Sequence, residues 1–261
     1  MAGRGLGRGL AGLGRGRGAL KAPGTIKKED GYTLEKLMSE FCYMALGRKD
    51  DTEVSKVVEI VKKYSTTGSK LKEFATALHE RCVNEADMIT GAALLSQSLG
   101  SLEVDDVKFR NILLQQLQHD FKGKEAMRKE NCMLFTNSFL LLCEVFSVLR
   151  VAGAPTPVLA TPILTWLHLM VDADAVDHEV ALADAQLSKL GKQLQQYMSN
   201  GKRLDALMQT VRERLLAKNT TTATRCHLLH MLELHTHGWQ LTDCVTQFYT
   251  QQFDEIEREV R

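Results

Sequence analysis

Apolar side chains recur at the spacing of an α-helix along most of this chain. Leu34, Leu37, Met38 and Phe41 begin the pattern at positions i, i+3, i+4 and i+7, which share one face of a helix. The same spacing returns in segments that start near residues 54, 71, 109, 135, 187, 204 and 228. No run of four or more residues alternates apolar and polar side chains as a half-buried strand does. The chain is therefore predicted to be all-α.

The positions of proline and glycine divide this pattern into helices. The four prolines stand at positions 23, 155, 157 and 162, so residues 24–154 and 163–261 contain no proline that would break a helix. We expect nine or ten helices, and in pairs of about 40–47 residues these make about five antiparallel pairs, an α-solenoid of HEAT type. A compact helical bundle is the alternative. Seven glycines are expected to end helices in a left-handed conformation: Gly47, Gly68, Gly100, Gly123, Gly153, Gly201 and Gly238.

Charge is distributed unevenly between the start of the chain and the rest. Of 261 residues, 33 are Lys or Arg and 32 are Asp or Glu, for a net charge of +1. Residues 1–28 contain seven basic residues and no acidic residue, so they carry +7 and residues 29–261 carry −6. The acidic body is therefore not expected to bind nucleic acid through its net charge alone.

Residues 1–28 are predicted to be a disordered Arg/Gly-rich tail, and residues 29–261 a single domain. Eight of the 19 glycines lie within residues 1–18, a composition that cannot bury enough apolar surface to fold. Arg4, Arg8, Arg15 and Arg17 belong to Arg-Gly dipeptides, which are common in RNA-associating tails. RNA contact through these arginines and a solvated leader without a function are both open.

A second basic cluster lies inside the predicted domain. Lys122, Lys124, Arg128 and Lys129 follow one another closely and could contact RNA phosphates. A solvated turn is the more frequent role of such a cluster.

Sequence patterns of catalytic and metal-binding sites are missing from the chain. It contains no GxSxG, HExxH, P-loop or calcium-loop signature, and the acidic run VDADAVDHE at 171–179 lacks the glycine of a calcium loop. His227 and His230 stand at i and i+3 near Cys226, which would suit zinc, but surface imidazoles on a packed helix are more frequent. We therefore expect no enzymatic activity, no cofactor and no metal.

The first residues and the cysteines bear on the cellular compartment. In the first 20 residues the leucines are separated by glycine and arginine. They therefore do not form the continuous apolar core of a signal peptide. The six cysteines include no CxxC pair. A reduced protein of the cytoplasm or the nucleus is the expectation.

Three segments, in order, resemble one known family. FTNSFLLLCEVF at 135–146 resembles the aromatic-rich helix of the middle domain of eukaryotic initiation factor four-gamma. LSKLGKQL at 187–194 resembles the Leu-x-x-x-Gly-x-x-Leu helix of that domain, and LLHMLELHTHGW at 228–239 resembles its closing helix. The length is similar to the family's small single-domain members, which interact with stem-loop-binding protein or poly(A)-binding protein or depend on the cap-binding complex. The sequence does not choose among these.

The resemblance implies a crescent of HEAT-type helix pairs that serves as a scaffold in translation. It implies initiation factors, a DEAD-box helicase or mRNA-binding proteins as partners, and RNA contact in some members; a homodimer is also open. No membrane partner is expected, because even the most apolar stretch, residues 139–150, is interrupted by Glu144, Ser147 and Arg150. A HEAT-type adaptor with no role in translation is the alternative.

Glu144 is expected to pair with a neighbouring backbone or basic group. The apolar pattern places five residues in the core between helix pairs: Phe139, Phe146, Leu190, Leu194 and Trp239.

Overall fold

The computed structural model describes residues 32–47, 50–151, 154–197 and 202–260. These residues form eleven α-helices, against the nine or ten expected from the sequence. The helices are α1 (Leu34–Leu46), α2 (Asp51–Tyr64), α3 (Gly68–Asn84), α4 (Ile89–Leu99), α5 (Phe109–Glu130), α6 (Cys132–Val148), α7 (Ala160–Met170), α8 (Asp177–Tyr197), α9 (Lys202–Leu216), α10 (Thr222–Thr236) and α11 (Asp243–Val260).

Short polar side chains set the start of several helices. Asp50 precedes α2 and its carboxylate accepts hydrogen bonds from the backbone N–H groups of Thr52 and Glu53, at 3.1 and 3.0 Å. Thr33, Asn131 and Thr221 do the same for α1, α6 and α10. Each cap satisfies backbone donors that have no partner inside the helix.

Extended structure in the described residues is limited to two small antiparallel hairpins. Strands β1 (Glu103–Val104) and β2 (Val107–Lys108) connect α4 to α5, and β3 (Arg150–Val151) and β4 (Ala154–Pro155) lie between α6 and α7. The turn between β1 and β2 places Asp105 and Asp106 at φ values of 49° and 62°, as a tight hairpin requires. Ala86–Met88 and Pro157–Leu159 are short 3-10 helices.

Successive helices pack as pairs in two layers. The pairs are α1 with α2, α3 with α4, α5 with α6, α7 with α8, and α9 with α10. Contacts from α3 to α5, α5 to α7 and α7 to α9 make one layer, and α2, α4, α6, α8 and α10 follow one another in the second. Helix α11 packs on α10. This arrangement confirms the predicted all-α solenoid of five helix pairs.

The core runs between the two layers. Phe139, Phe146 and Leu194 are fully buried, Leu190 is 2% exposed and Trp239 is 7% exposed. In its centre the Trp166 ring lies 5.4 and 5.9 Å from the rings of Phe135 and Phe139. Aromatic contacts of this kind stabilise a fold by about 0.5–1.5 kcal/mol in addition to the free energy gained from burying their apolar area.

The expectation that seven glycines end helices in a left-handed conformation is wrong for four of them. Gly47 and Gly100 follow α1 and α4, but at φ −94° and −56°, outside the left-handed region. Gly68 begins α3, where the β1–β2 hairpin lies so close that a Cβ would be 2.8 Å from the Val107 side chain. Gly123 lies inside α5. Gly238 does follow α10 in the left-handed region, at φ +62°. Gly153 and Gly201 fall outside the described residues.

The predicted tail, residues 1–28, also lies outside the described residues. Among the helices that the structure describes, none is long and apolar enough to cross a membrane.

Candidate docking surface along helix α5

Helix α5 lies between α3 and α7 in its layer and leaves a groove on each side. Its 22 residues bury Phe109, Ile112, Leu113 and Leu117 against the core. Its other face stays exposed and carries Gln115, Gln118 and His119 among its side chains. We call the groove toward α3 the polar groove and the groove toward α7 the apolar groove.

The polar groove has a volume of about 470 Å³ and is lined by side chains of α3 and α5. Lys72, Thr76 and Glu80 come from α3, and Gln115 and His119 come from α5. These side chains offer both hydrogen-bond donors and acceptors to a bound molecule.

A buried contact between a histidine and a carboxylate lies below the polar groove. His79 of α3 and Asp120 of α5 join Nε2 to Oδ2 at 2.7 Å, with the Asp120 side chain 7% exposed. Beside them the Gln116 amide donates to the Ala75 carbonyl oxygen at 3.4 Å. These buried contacts hold α3 and α5 together below the groove and therefore set its width.

The apolar groove has a volume of about 380 Å³ and contains no charged lining residue. Leu114 and Phe121 of α5 form one wall, and Val158, Leu159 and Pro162 form the other. Val158 is 69% exposed, although its side chain is fully apolar. The amides of Gln115 and Gln118 lie at the edge. A few polar groups around an apolar depression are typical of a site that receives an apolar side chain.

The four basic residues predicted as a patch are not equivalent. Lys122 and Lys129 are exposed on α5. Lys124 folds over the ring of Phe121, with Nζ 4.4 Å from the ring centroid, and its side chain is 12% exposed. This contact is a cation–π interaction beside the apolar groove.

Arg128 is the exception, because acidic side chains already occupy its guanidinium. Its Nε and Nη2 donate to the two carboxylate oxygens of Glu179 at 2.8 and 2.6 Å, and Nη1 donates to Asp172 at 3.0 Å. The hydrogen bonds to Glu179 raise the pKa of Arg128 further above its already high value. Arg128 is thus a tie from α5 to α8, and its guanidinium is engaged by Glu179 and Asp172. RNA contact by the four basic residues stays a prediction.

The same tie accounts for two acidic residues of the run at 171–179. Asp172 and Glu179 both face Arg128, and Glu179 also accepts a hydrogen bond from the Val176 backbone N–H at 3.2 Å. The Glu179 side chain is 3% exposed, so this carboxylate is a buried partner of an arginine and not part of a solvated loop.

His227 and His230 converge on one buried carboxylate. The Nδ1 atoms of both rings lie 2.8 Å from oxygens of Asp184, whose side chain is 4% exposed. The ring of His227 stacks on Phe253 of α11 at 4.5 Å. The two imidazoles are 16% and 13% exposed, so their interpretation as surface groups is wrong. Among the residues that the structure describes, no three His, Cys, Asp or Glu side chains are placed to hold a metal ion.

Two contacts join the segments that carry the family resemblance. Glu144 of α6 pairs with Lys189 of α8, which gives this carboxylate the basic partner expected for it. Trp239 after α10 packs directly on Gly191 of α8 and donates from Nε1 to the Gln195 side-chain oxygen at 2.6 Å. Sequence reasoning missed Lys189, Gln195 and Asp184 as partners, because each lies more than 40 residues from the group that it contacts. The candidate RNA-binding arginines Arg4, Arg8, Arg15 and Arg17 lie outside the described residues.

Comparison with known proteins gives several relatives. The CBP80/20-dependent translation initiation factor of Xenopus tropicalis is 29% identical over 189 residues, which are 71% of this chain and 32% of that protein. MIF4G domain-containing protein B of Danio rerio is 31% identical over 144 residues, or 54% of this chain and 64% of the relative. MIF4G domain-containing protein A of Danio rerio is 25% identical over 185 residues, or 69% and 85%. The chain thus spans about a third of the first relative. No family profile matches it.

Proposed function

This chain is related to the MIF4G-domain proteins, and on that premise we propose that it is a non-catalytic scaffold of translation initiation. In this proposal a segment of an initiation factor, or of a DEAD-box helicase that works with one, docks on α5. One of the relatives is named a translation initiation factor, which supports this class of partner.

The observation that carries the proposal is the pair of grooves on either side of α5. A segment that crosses this helix reaches the apolar groove and the polar groove together, since Gln115 lines both. An uncharged apolar side chain of the partner fills the apolar groove, where a charge would lose its hydration without gaining an opposite charge. Hydrogen bonds to Gln115 and Thr76 then fix the position of the segment.

The charge of the body favours a basic partner over an acidic one. Residues 29–261 carry −6, and this field accelerates the encounter with a basic surface in a way that weakens with salt. The proposed partner segment therefore has an apolar anchor for the groove and belongs to a protein with a basic surface.

The test compares two substitutions of equal chemistry at two exposed apolar positions. Val158→Asp introduces a charge into the apolar groove, whereas Leu216→Asp introduces the same charge at the end of α9, where Leu216 is 81% exposed. Tagged proteins are crosslinked in cytoplasmic extract after RNase treatment, and bound initiation factors are quantified by mass spectrometry. We expect initiation factors with the unaltered chain and with Leu216→Asp, and at least a tenfold lower recovery with Val158→Asp, equivalent to about 1.4 kcal/mol.

Two results would contradict the proposal in different ways. If no initiation factor is recovered with the unaltered chain, the HEAT-type adaptor without a role in translation becomes the better description. If Val158→Asp and Leu216→Asp recover equal amounts, the partner docks elsewhere than on α5.

RNA contact is a separate part of the proposal. We assign it to Arg4, Arg8, Arg15 and Arg17, because residues 1–28 carry +7 and Arg128 is engaged by Glu179.

We place the protein in the cytoplasm, in keeping with its cysteines, which are all free thiols.

A further inference from the structure

Cys132 is the first residue of α6, and its thiol faces an imidazole from α8. Its Sγ lies 2.9 Å from Nε2 of His178, the second residue of α8. Cys132 is partly exposed and His178 is exposed, so small molecules reach both groups. A nucleophile and a base within hydrogen-bond distance are the geometric requirement for base-assisted attack by sulfur.

The other five cysteines lack this arrangement. Cys82 and Cys143 are fully buried, and burial raises the pKa of the Cys82 thiol to about 12. Cys42 and Cys226 are partly exposed, and Cys244 is exposed. Within the described part of the chain, Cys132 is the one cysteine whose sulfur lies within hydrogen-bond distance of a histidine ring.

We propose that Cys132 is a modification site, at which small disulfides such as glutathione disulfide form a mixed disulfide with His178 as the base. The thiol proton passes to Nε2 of His178 while the Cys132 sulfur attacks one sulfur of the disulfide. The new S–S bond forms as the old one breaks, and the departing thiolate takes the proton from the imidazolium. The sulfur of Cys132 is oxidised and the departing sulfur is reduced, so no other reagent is needed.

The surroundings of the thiol make the reaction depend on proton transfer to His178. Partial burial raises the pKa of Cys132 and the Glu179 carboxylate raises it further, whereas the Arg128 guanidinium acts in the opposite direction. Free thiolate is therefore scarce at neutral pH, and ionisation of the thiol alone would make the reaction slow. An imidazole that accepts the proton during attack removes this obstacle, and a thiolate of higher pKa is the stronger nucleophile.

The adduct would alter a defined part of the surface. Met133 follows Cys132 directly and is 51% exposed, and Val176, two residues before His178, is 49% exposed. A glutathionyl group at Cys132 therefore sits beside these two apolar side chains, at the junction that Arg128 and Glu179 hold together.

The experiment follows the rate of modification at each cysteine of the full chain. The reduced protein is incubated with excess glutathione disulfide at pH 7, and occupancy is measured by peptide mass spectrometry over time. Three chains are compared: the unaltered protein, His178→Gln, and His237→Gln as a matched change of an exposed histidine elsewhere. Circular dichroism verifies that all three are folded, and exposed Cys244 is the internal reference.

We expect Cys132 to react faster than Cys244 in the unaltered protein and in His237→Gln. In His178→Gln the rate at Cys132 should fall about 10²-fold, the lower end of what a positioned base contributes, while the rate at Cys244 is unchanged. An unchanged rate at Cys132 in His178→Gln would overturn the proposal. So would a Cys132 that reacts more slowly than Cys244 in the unaltered protein.

Discussion

At the scale of single residues, the contact between Gly191 and Trp239 shows how one missing side chain positions another. A Cβ on Gly191 would lie 2.0 Å from Cε3 of Trp239, far inside van der Waals distance. The Trp239 backbone adopts φ +69°, an unfavourable region for this residue type, and its indole N–H is engaged by Gln195. The ring therefore has little freedom to move away from a larger residue at 191.

This contact predicts opposite effects of the same substitution at two helical glycines. Gly191→Ala should lower the free energy of unfolding by about 1–3 kcal/mol, the usual range for overpacking. Gly123→Ala should raise it by about 0.5–1 kcal/mol, because Gly123 lies within α5 with open space around it and alanine favours helix. Urea unfolding followed by circular dichroism measures both. A stabilising Gly191→Ala would show that Trp239 does not depend on this space.

At the scale of the elements, the apolar periodicity predicted the helices, but it did not predict the polar side chains that tie one helix to another. Apolar spacing is local, so the stripes of α1, α2 and α3 were visible without any tertiary information. Arg128 and Glu179 are charged and 51 positions apart, and charge in a sequence ordinarily indicates a solvated surface. Gly123 and Gly238 are the same residue type in opposite roles, which depend on the chain that surrounds them.

The tie between α5 and α8 makes Arg128 a stability determinant. Arg128→Gln leaves the Glu179 carboxylate, 3% exposed, without a charged partner. Breaking a fully buried pair costs about 3–5 kcal/mol, and the loss here should be smaller because the Arg128 side chain is 16% exposed. Lys129→Gln, on an exposed neighbour, should change the free energy of unfolding by less than about 0.5 kcal/mol. Chemical unfolding of the two variants tests this, and equal values would mean that the tie contributes nothing.

The interface of α7 and α9 predicts a dependence of stability on pH. Burial lowers the pKa of His168 below its ordinary 6.5, and its Nδ1 lies 3.4 Å from the Thr210 hydroxyl of α9. The unfolded chain then binds a proton at this residue more tightly than the folded chain does. Stability should therefore fall as the pH falls through about 6.5.

The contribution of His168 is isolated by substitution. The free energy of unfolding is measured at pH 7.5 and pH 5.5 for the unaltered protein, for His168→Gln, and for His119→Gln, which changes an exposed histidine of α5. His168→Gln should show a smaller loss between the two pH values than the other two proteins. A loss of the same size in all three would place the pH dependence in other groups.

At the scale of the whole molecule, a solenoid of helix pairs suits a protein that binds through an extended surface. Each pair contacts mainly its neighbours, so the core is continuous while both layers remain accessible along their length. The grooves beside α5 lie where this helix meets its neighbours in the same layer. The sequence indicated this architecture, but it did not indicate which of the depressions would be apolar.

The division of charge between tail and body leads to a prediction about RNA. Residues 1–28 carry +7 and the rest of the chain −6, so non-specific affinity for single-stranded RNA should come mainly from the tail. Arg4, Arg8, Arg15 and Arg17 can contact phosphates and stack on bases without a fixed backbone. Each phosphate contact on a single strand contributes roughly 0.7 to the slope of log K against log salt, so replacing all four by Gln should reduce the slope by up to about 3.

The matched comparison replaces lysines of the body instead of arginines of the tail. Lys122, Lys124 and Lys129 are changed to Gln in the full chain, and Arg128 is left intact because it is bound to Glu179 and Asp172. Both proteins are titrated with unstructured RNA at several salt concentrations, beside the unaltered chain. The tail substitutions should weaken binding and reduce its dependence on salt, because they remove contacts to the RNA phosphates. If only the lysine substitutions do so, the folded body carries the RNA affinity in spite of its negative charge, and the tail is a passive leader.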